Sequence, residues 1–318
     1  MFLFLVKVSK TCTFFSFHFS TLSKRSKRLV HDAKLRTDWI LFRFGFLETD
    51  RIGVVTKNGN FRIKLPGPND RTEILPNSLD GRKLASLINE PSDDYRKKLI
   101  AHLLFIFHFK ETKLHIEGCF VKPLTEFFLW DLRKTFDFFA FGSLTSVLIS
   151  SEDLKFLLEN IRSNGCYLGI RIDDANFKYR KALEYETFSA FNGVKWLDTD
   201  GILQRNPKMK QLCLEGLEEK QINDLLKQWI NGQVTDLESL RVHTWKHYRA
   251  DVILDGIVTM DPTITHEQAK GVYDRQEIKG QLLNIQRKVD GQLATVLLND
   301  EEYFVVMWNE KRLAELGN

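Results

Sequence analysis

The sequence contains few cysteines, and their positions exclude the frameworks that cysteines usually build. There are 4 in 318 residues, and none stands in a CxxC pair or beside histidines at the spacing of a zinc site. Cys213 lies within an apolar segment, where a thiol behaves as a small buried hydrophobe. Because no disulfide framework is predicted, a reducing compartment is expected, the cytoplasm or the nucleus.

Long apolar runs are also missing, so the sequence predicts no membrane-spanning helix, which needs about 20 residues. The apolar residues 1–6 are followed by Lys7 and Lys10, whereas a signal peptide carries its positive charge before the apolar run. We therefore expect no signal peptide. The 46 basic and 42 acidic residues leave a net charge of +4, too small an excess to indicate a nucleic-acid partner. Neither a membrane nor a nucleic acid is expected as a partner.

Catalytic signatures are absent from the sequence as well. It has no GxGxxG loop, no GxxxxGK(S/T) loop and no GxSxG nucleophile elbow. His243 and His247 could share a helical face, but the glutamate of an HExxH zinc site and a third ligand are missing. We interpret both histidines as surface imidazoles. No catalytic residue, metal site or cofactor site is predicted.

Two pairs of acidic residues are the remaining candidates for catalysis. Asp173 and Asp174 follow one predicted strand, and Asp198 and Asp200 follow another. Paired carboxylates can bind Mg²⁺ or act as general acid and base, which keeps a hydrolase or transferase open as a function of another class. Aspartates that follow strands more often form turns or cap helices, and we favour this structural interpretation.

Residues 211–242 show the clearest pattern in the chain. Short apolar strands at residues 212–214 and 237–242 flank a helix whose apolar residues recur at i, i+3, i+4, i+7 and i+8. These are Ile222, Leu225, Leu226, Trp229 and Ile230. Asn231-Gly232 supplies a C-cap. The pattern predicts one strand–helix–strand layer of a parallel α/β stack, with Leu226 and Trp229 in its core.

Short apolar runs elsewhere predict further layers of this kind. A helix with an apolar stripe from Leu154 to Ile161 has Ser150 and Asp153 in capping-box positions and Gly165 at its end. Strands are predicted at residues 113–116, 145–149, 167–172, 194–197, 211–214 and 238–242. Their spacing is mostly that of leucine-rich repeats, but the asparagine ladder is missing, so the repeat is degenerate.

The flanking regions predict β-structure of another kind. Residues 39–46, 51–55 and 61–65 have the composition of strands, and Asn58-Gly59 predicts a hairpin with a type I′ turn between the last two. Helical spacing predicts an amphipathic helix over residues 94–109. Near the C-terminus, three strands are predicted to form an antiparallel meander that closes the stack, at residues 282–287, 292–298 and 303–308.

Two clusters of unusual composition each have a structural and a functional interpretation. An aromatic run could form an exposed surface, but we expect it to pack in the core; it comprises Phe127, Phe128, Trp130, Phe136, Phe138, Phe139 and Phe141. A basic cluster could bind nucleic acid or act as a nuclear-localisation signal; it comprises Lys24, Arg25, Lys27 and Arg28. For this cluster we favour a solvated helix face, anchored by Leu22, Leu29 and Val30.

Three stretches resemble the large nematode-type family of F-box proteins that carry an F-box-associated domain of type 2. Residues 22–30, LSKRSKRLV, resemble the end of the F-box, and residues 101–109, AHLLFIFHF, resemble the helix ahead of the α/β region. The sharpest match to the associated domain is Asn223-x-x-Leu226-x-x-Trp229-x-x-Gly232. The other matching positions are Leu212, Leu214, Ile222, Leu237 and Leu240.

The resemblance implies a non-catalytic substrate-recognition subunit of a Skp–cullin–F-box ubiquitin ligase. Its partners would be a Skp-type adaptor and an unidentified protein target, which the associated domain would capture. The residues implied in adaptor binding are Leu22, Arg25, Leu29 and Val30. The front of the chain departs from the family, because an F-box opens with a Leu-Pro pair and the first proline here is Pro66. A protein-binding module without ligase function is therefore the alternative.

These patterns predict an α/β protein in four segments. Residues 1–36 form an incomplete F-box, of which only the helical end is expected because residues 11–15 are poor helix formers. A β-hairpin region with an amphipathic helix spans residues 37–112. The degenerate leucine-rich-repeat-like α/β stack, which corresponds to the associated domain, spans residues 113–245. The antiparallel meander occupies residues 246–318.

Overall fold

Strands that pair mostly in parallel, with helices between them, make the chain a mixed α/β protein. The structure, a computed structural model, divides into two compact units, Met1–Gly142 (unit 1) and Ser143–Asn318 (unit 2). It describes residues 13–45, 50–56, 59–65, 93–117, 123–243, 247–273, 277, 279–299, 302–309 and 312.

Unit 1 builds its sheet around one central strand. Its described elements are α1 (Thr13–Thr21), α2 (Lys24–Asp32), β1 (Leu35–Phe44), β2 (Arg51–Thr56), β3 (Gly59–Lys64), α3 (Asp93–Ile106), β4 (Phe107–Ile116) and the start of β5 (Thr135–Ile149), with 3₁₀ turns at Leu124–Glu126 and Phe128–Asp131. The strand order is β5-β4-β1-β2-β3. β1 pairs in parallel with β4 and antiparallel with β2.

Three expectations for unit 1 can be compared with these elements. The predicted hairpin is confirmed by the antiparallel pairing of β2 with β3, whereas the turn between them lies outside the described residues. The predicted helix over residues 94–109 ends earlier, at Ile106, because Phe107 and the residues after it pair with β1. The N-terminal segment is helical from Thr13 although its residues are poor helix formers, because Phe17 is buried against other helices.

The aromatic run of unit 1 is mostly core, as predicted. The buried members are Phe128, Trp130, Phe136, Phe139 and Phe141, while Phe127 and Phe138 are half-buried. Trp130 donates its Nε1–H to the Leu124 carbonyl at 2.6 Å, so the indole is buried with its polar group satisfied.

A half-buried histidine joins the helices of unit 1. His102 of α3 lies 2.8 Å (Nε2 to Oγ) from Ser20 of α1, and its ring meets Phe17 edge-to-face at 6.0 Å. Because the Ser20 hydroxyl already donates to the Phe17 carbonyl at 2.5 Å, the histidine Nε2–H is the donor. Burial, assisted by the charge of Lys27, lowers the pKa of His102 to about 4. The neutral imidazole is therefore the form that the folded state holds.

Unit 2 stacks parallel strands and ends in a meander. Its described elements are the end of β5, α4 (Ser151–Asn160), β6 (Arg162–Ile172), β7 (Thr187–Phe191), α5 (Ile202–Arg205), β8 (Gln211–Glu215), α6 (Glu219–Ile230), β9 (Ser239–His243), α7 (Ala250–Ile253), α8 (His266–Tyr273), β10 (Gln281–Gln286), β11 (Leu293–Leu298) and β12 (Glu302–Met307). Strands β6 to β9 are parallel. The predicted meander is confirmed, since β10, β11 and β12 pair antiparallel. No helix in the described part of the chain is long and apolar enough to cross a bilayer.

The sequence misplaced one strand and one helix end in unit 2. The strand predicted at residues 194–197 is a buried turn that makes one isolated bridge, Tyr179 to Leu197, and the strand of this layer is β7 instead. The helix α4 begins as predicted, with the Ser150 hydroxyl accepting from the Asp153 amide at 3.0 Å. It ends at Asn160 rather than at Gly165, because Gly165 pairs with Thr187 within the sheet.

Helix α6 confirms the predicted layer at residues 211–242 and holds its neighbours through buried amides. Leu226 and Trp229 are fully buried, and Gly232 takes the left-handed conformation at φ 77°. The Asn223 amide donates to the carbonyls of Ile253 and Asp255 at 2.7 and 2.9 Å. The Gln228 amide donates to the Thr199 carbonyl at 3.1 Å and accepts from the Leu203 amide at 3.1 Å. These bonds tie α6 to the segments on both sides of it.

A buried arginine fastens the meander to the same layer. Arg287, whose side chain is 3% exposed, donates to the carbonyls of Val234 and Thr235 at 3.1 and 3.2 Å and lies 5.5 Å from the Trp229 ring. It also pairs with both carboxylate oxygens of Asp290 at 2.9 and 2.5 Å. This pairing lowers the pKa of Asp290 to about 2.

We predict that Arg287→Ala lowers the free energy of unfolding by about 2–3 kcal/mol, because the buried Val234 carbonyl and the part-buried Thr235 carbonyl lose their donor. Arg287→Lys should recover only part of this, since an ammonium cannot reproduce the forked geometry. Urea unfolding at pH 7 measures both, with Lys288→Ala, an exposed neighbour, as the control within about 0.5 kcal/mol. An Arg287→Ala protein that unfolds at the wild-type midpoint would contradict this role.

We predict that His102 makes stability depend on pH below neutrality. In the unfolded chain the imidazole titrates near its ordinary pKa of about 6.5, whereas in the folded state it resists protonation until about pH 4. The free energy of unfolding is therefore unaffected by His102 above pH 6.5. Between pH 6.5 and 4 it falls, by at most about 1.4 kcal/mol per pH unit, because the unfolded chain binds a proton that the folded state does not. Urea unfolding of wild type and His102→Gln across this range measures the difference, and parallel profiles would refute it.

Candidate functional site

The parallel strands of unit 2 have one face without connecting helices. Strands β6, β7, β8 and β9 are neighbours in chain order. Crossovers between parallel strands are almost always right-handed, so connections that advance in one direction all lie on one side of the sheet. On that side the strand residues are at most 1% exposed; they are Leu168, Ile170, Phe188, Ala190, Leu212, Leu214, Leu240 and Val242.

The opposite side presents half-buried side chains of a different composition. We call it the open face; its residues are Tyr167, Ser189, Phe191, Cys213, Arg241 and His243. The strand register places Tyr167, Ser189, Cys213 and Arg241 in one row across the four strands, and Phe191 and His243 in the next. The open face is therefore a continuous surface to which each of the four strands contributes.

Aromatic rings run across the open face. Tyr167 and Phe191 stack at 5.1 Å with an interplanar angle of 28°, and the His243 ring lies 5.6 Å from Phe191. Rings that pack on each other in this way hold their rotamers before any partner arrives. A partner would meet a preformed aromatic platform.

The open face ends at the meander, where a helix covers the sheet. Arg241 lies 4.0 Å from the centre of the Phe304 ring on β12, and Phe304 is 7% exposed. Tyr273 of α8 packs edge-to-face on the same ring at 4.8 Å. Phe304 belongs to a core cluster that α8 shares with the meander, so Arg241 stands at the border between covered and open sheet.

A buried carboxylate lies between Phe191 and His243 in the second row of the open face. Glu215, 6% exposed at the end of β8, accepts the Asn192 amide at 2.6 Å through Oε2 and the Val194 amide at 3.3 Å through its backbone carbonyl. Asn192 and Gly193 both have positive φ, 67° and 88°, which asparagine and glycine tolerate best. The carboxylate thus fixes the tight turn that follows Phe191.

The Tyr167 hydroxyl remains a hydrogen-bond donor at neutral pH. Burial raises its pKa, and the nearby Glu215 and Cys213 add to this effect because their ionised forms repel a phenolate. Tyr167 and Ser189 each give the open face a hydroxyl group that can donate or accept a hydrogen bond.

The residues implied in adaptor binding occupy different positions on α2 and the turn before it. Leu22 is 74% exposed, and Arg25 is exposed, as is expected of a solvated helix face. Leu29 is half-buried, whereas Val30 is 1% exposed. The expectation that Leu22 anchors this helix is wrong, and the anchor is Val30 together with the buried Ser26.

The alternative catalytic residues serve turns in the structure. Asp174 accepts the Asn176 amide at 2.9 Å, and Asp198 accepts the Asp200 amide at 3.0 Å. Asp198 also pairs with Arg180 at 3.0 Å. His243 ends β9, so it does not share a helix with His247, which is exposed. Among the described residues, no three side chains are grouped as a metal site would require.

Among the open-face residues, only His243 could be considered as a site residue from the sequence, and we interpreted it as a surface imidazole. The expectation that Cys213 is buried is wrong, since the buried thiol is Cys166 and Cys213 is half-buried. The available signal was alternation: polar and aromatic residues stand at every second position of β8 and β9, between fully buried ones. In strands of five residues this alternation is too short to be read with assurance.

Comparisons with known proteins assign no family to the chain. No protein-family model matches it, and searches of curated proteins and of solved structures find no match either.

We predict that native alkylation distinguishes the two described thiols. Cys213 on the open face should react with iodoacetamide at least about tenfold faster than Cys166, because burial of Cys166 excludes the reagent and raises its thiol pKa. Mass-spectrometric peptide mapping measures both rates in one sample, and denatured protein, in which both react alike, is the control. Equal protection of the two thiols in the folded protein would mean that the face is closed.

Proposed function

We propose that this chain is the non-catalytic substrate-recognition subunit of a Skp–cullin–F-box-type ubiquitin ligase. Unit 2 would be a degenerate leucine-rich-repeat-like stack that captures a protein target on its open face. Helix α2 would be the end of an F-box that docks on a Skp-type adaptor. Catalysis would belong to other subunits, and the proposal includes no cofactor, membrane or nucleic acid.

The observation that carries the proposal is the contrast between the two sides of β6 to β9. One side is fully buried, and the other presents half-buried tyrosine, phenylalanine, histidine and arginine side chains. Tyrosine and arginine are enriched among the residues that dominate protein–protein binding energies. Four strands about 4.8 Å apart make a face about 15 Å wide, which suits a protein segment.

The adaptor half of the proposal rests on the resemblance of residues 22–30 to the end of an F-box. Leu22 and Arg25 are exposed and Leu29 is half-buried, so these side chains can contact a partner. The burial of Val30 reduces the surface available there. This burial favours the alternative, a protein-binding module that lacks ligase function.

We predict that the double substitution Tyr167→Ala/Arg241→Ala removes target binding by more than about tenfold, because it deletes two of the residue types that form binding hot spots. Co-purification of the tagged full chain from its own cells, quantified by mass spectrometry, measures this loss. A matched control, Gln204→Ala/Lys220→Ala, alters exposed residues of α5 and α6 on the helical side and should keep every partner.

The Skp-type adaptor should be recovered with wild type, with the open-face variant and with the control. Its repeated absence with folded protein would refute ligase membership and leave the alternative. A target whose level stays constant when the chain is depleted would also refute ligase membership and leave the alternative. Partners that survive the open-face substitution unchanged would refute the open face as the target site.

A further inference from the structure

Helix α2 and the end of α3 form a second distinctive surface, which we call the basic face. It comprises Leu22, Lys24, Arg25, Lys27, Arg28 and Phe105. Leu22 and Phe105 are large apolar residues exposed by 74% and 41%. The Lys27 ammonium lies 4.7 Å from the centre of the Phe105 ring, which joins the two helices across this surface.

The four cations of the basic face are held in an arrangement that is unfavourable for an isolated helix. None of them forms an ion pair with another residue of the described part of the chain. Lys24 repels Lys27 and Arg28 at helical spacings of three and four residues. Cations in the first turn also oppose the helix dipole, and this turn contains no acidic residue. A negatively charged partner would relieve both effects.

The apolar residues of the face narrow the class of that partner. The Phe105 ring is stacked with His31 at 4.3 Å and 18° and covered by the Lys27 ammonium, so a nucleic-acid base has no free ring to stack on. A nine-residue helix with one exposed leucine beside it offers less than the two signals that stable lipid anchoring requires. Leu22 and Phe105 are instead large exposed apolar residues beside the cations, and a protein partner can bury such residues.

We propose that the basic face docks on an acidic protein surface, and that charge attraction drives this association. The inference rests on the proposed function in one respect only, which is that the partner binds at the helix proposed to dock on the adaptor. Because complementary charges mainly accelerate association, binding should weaken as salt rises.

Fluorescence anisotropy with the full chain tests the chemistry of the partner. The probe is a labelled peptide of six glutamates and two leucines, and its matched control has glutamine in place of glutamate. We expect the acidic peptide to bind, the glutamine peptide not to bind, and Lys24→Glu/Arg28→Glu to weaken binding at least about tenfold. Glutamate at position 24 lies in the first turn and suits the helix dipole, and both positions are exposed. This variant should therefore fold, as circular dichroism would verify.

A matched control separates local charge from net charge. Lys208→Glu/Lys220→Glu changes two exposed cations of unit 2 by the same total charge and should leave binding within about twofold. Acidic-peptide binding that resists the Lys24→Glu/Arg28→Glu change would overturn the proposal. Tighter binding of duplex DNA or of anionic vesicles than of the acidic peptide at about 150 mM salt would also overturn it.

A purified Skp-type adaptor distinguishes this inference from the proposed function. Adaptor binding that is insensitive to salt and to the charge reversal would support the ligase proposal and refute an electrostatic docking face. Charge-dependent binding of the acidic peptide without any adaptor binding would support the docking face and refute ligase membership.

Discussion

Hydrogen bonds from buried polar side chains around α6 set the geometry on which the rest of unit 2 depends. A buried amide or guanidinium without a partner costs on the order of 1–3 kcal/mol, so each such group fixes the segment that carries its acceptor. Asn223 fixes the segment after β9, and Gln228 fixes the turn before α5. Arg287 fixes the loop between α6 and β9 to the meander. Segments that are distant in sequence are thereby held to one helix.

The same arrangement separates the scaffold from the surface that we propose for recognition. Helices packed on one side of β6 to β9 bury that side completely, and the buried Glu215 fixes the turn at the strand ends. The other side is free to present the stacked Tyr167 and Phe191 rings beside Arg241. A surface supported in this way needs little rearrangement on binding, which lowers the entropic cost of association.

The sequence predicted the scaffold better than the site because the two leave different patterns. The helical stripe of α6, its glycine cap and the strands beside it follow from apolar spacing over twelve helical residues. The motif from Asn223 to Gly232 proves to be structural, since each of its named residues is buried or caps the helix. The open face consists of single residues in short strands, and only tertiary pairing brings them into rows. Strand β7 was not predicted for a related reason. The strand was assigned to residues 194–197, which are more apolar but pack as a turn.

In the function that we propose, the open face, and not the helical side, contacts the protein target. Photo-crosslinking in the cells that express the chain tests it most directly, with a photo-reactive phenylalanine analogue in place of Ser189 at the centre of the face or in place of Lys220 on α6. We expect a discrete adduct with one protein from position 189 and none from position 220. Adducts from position 220 with none from position 189 would contradict it.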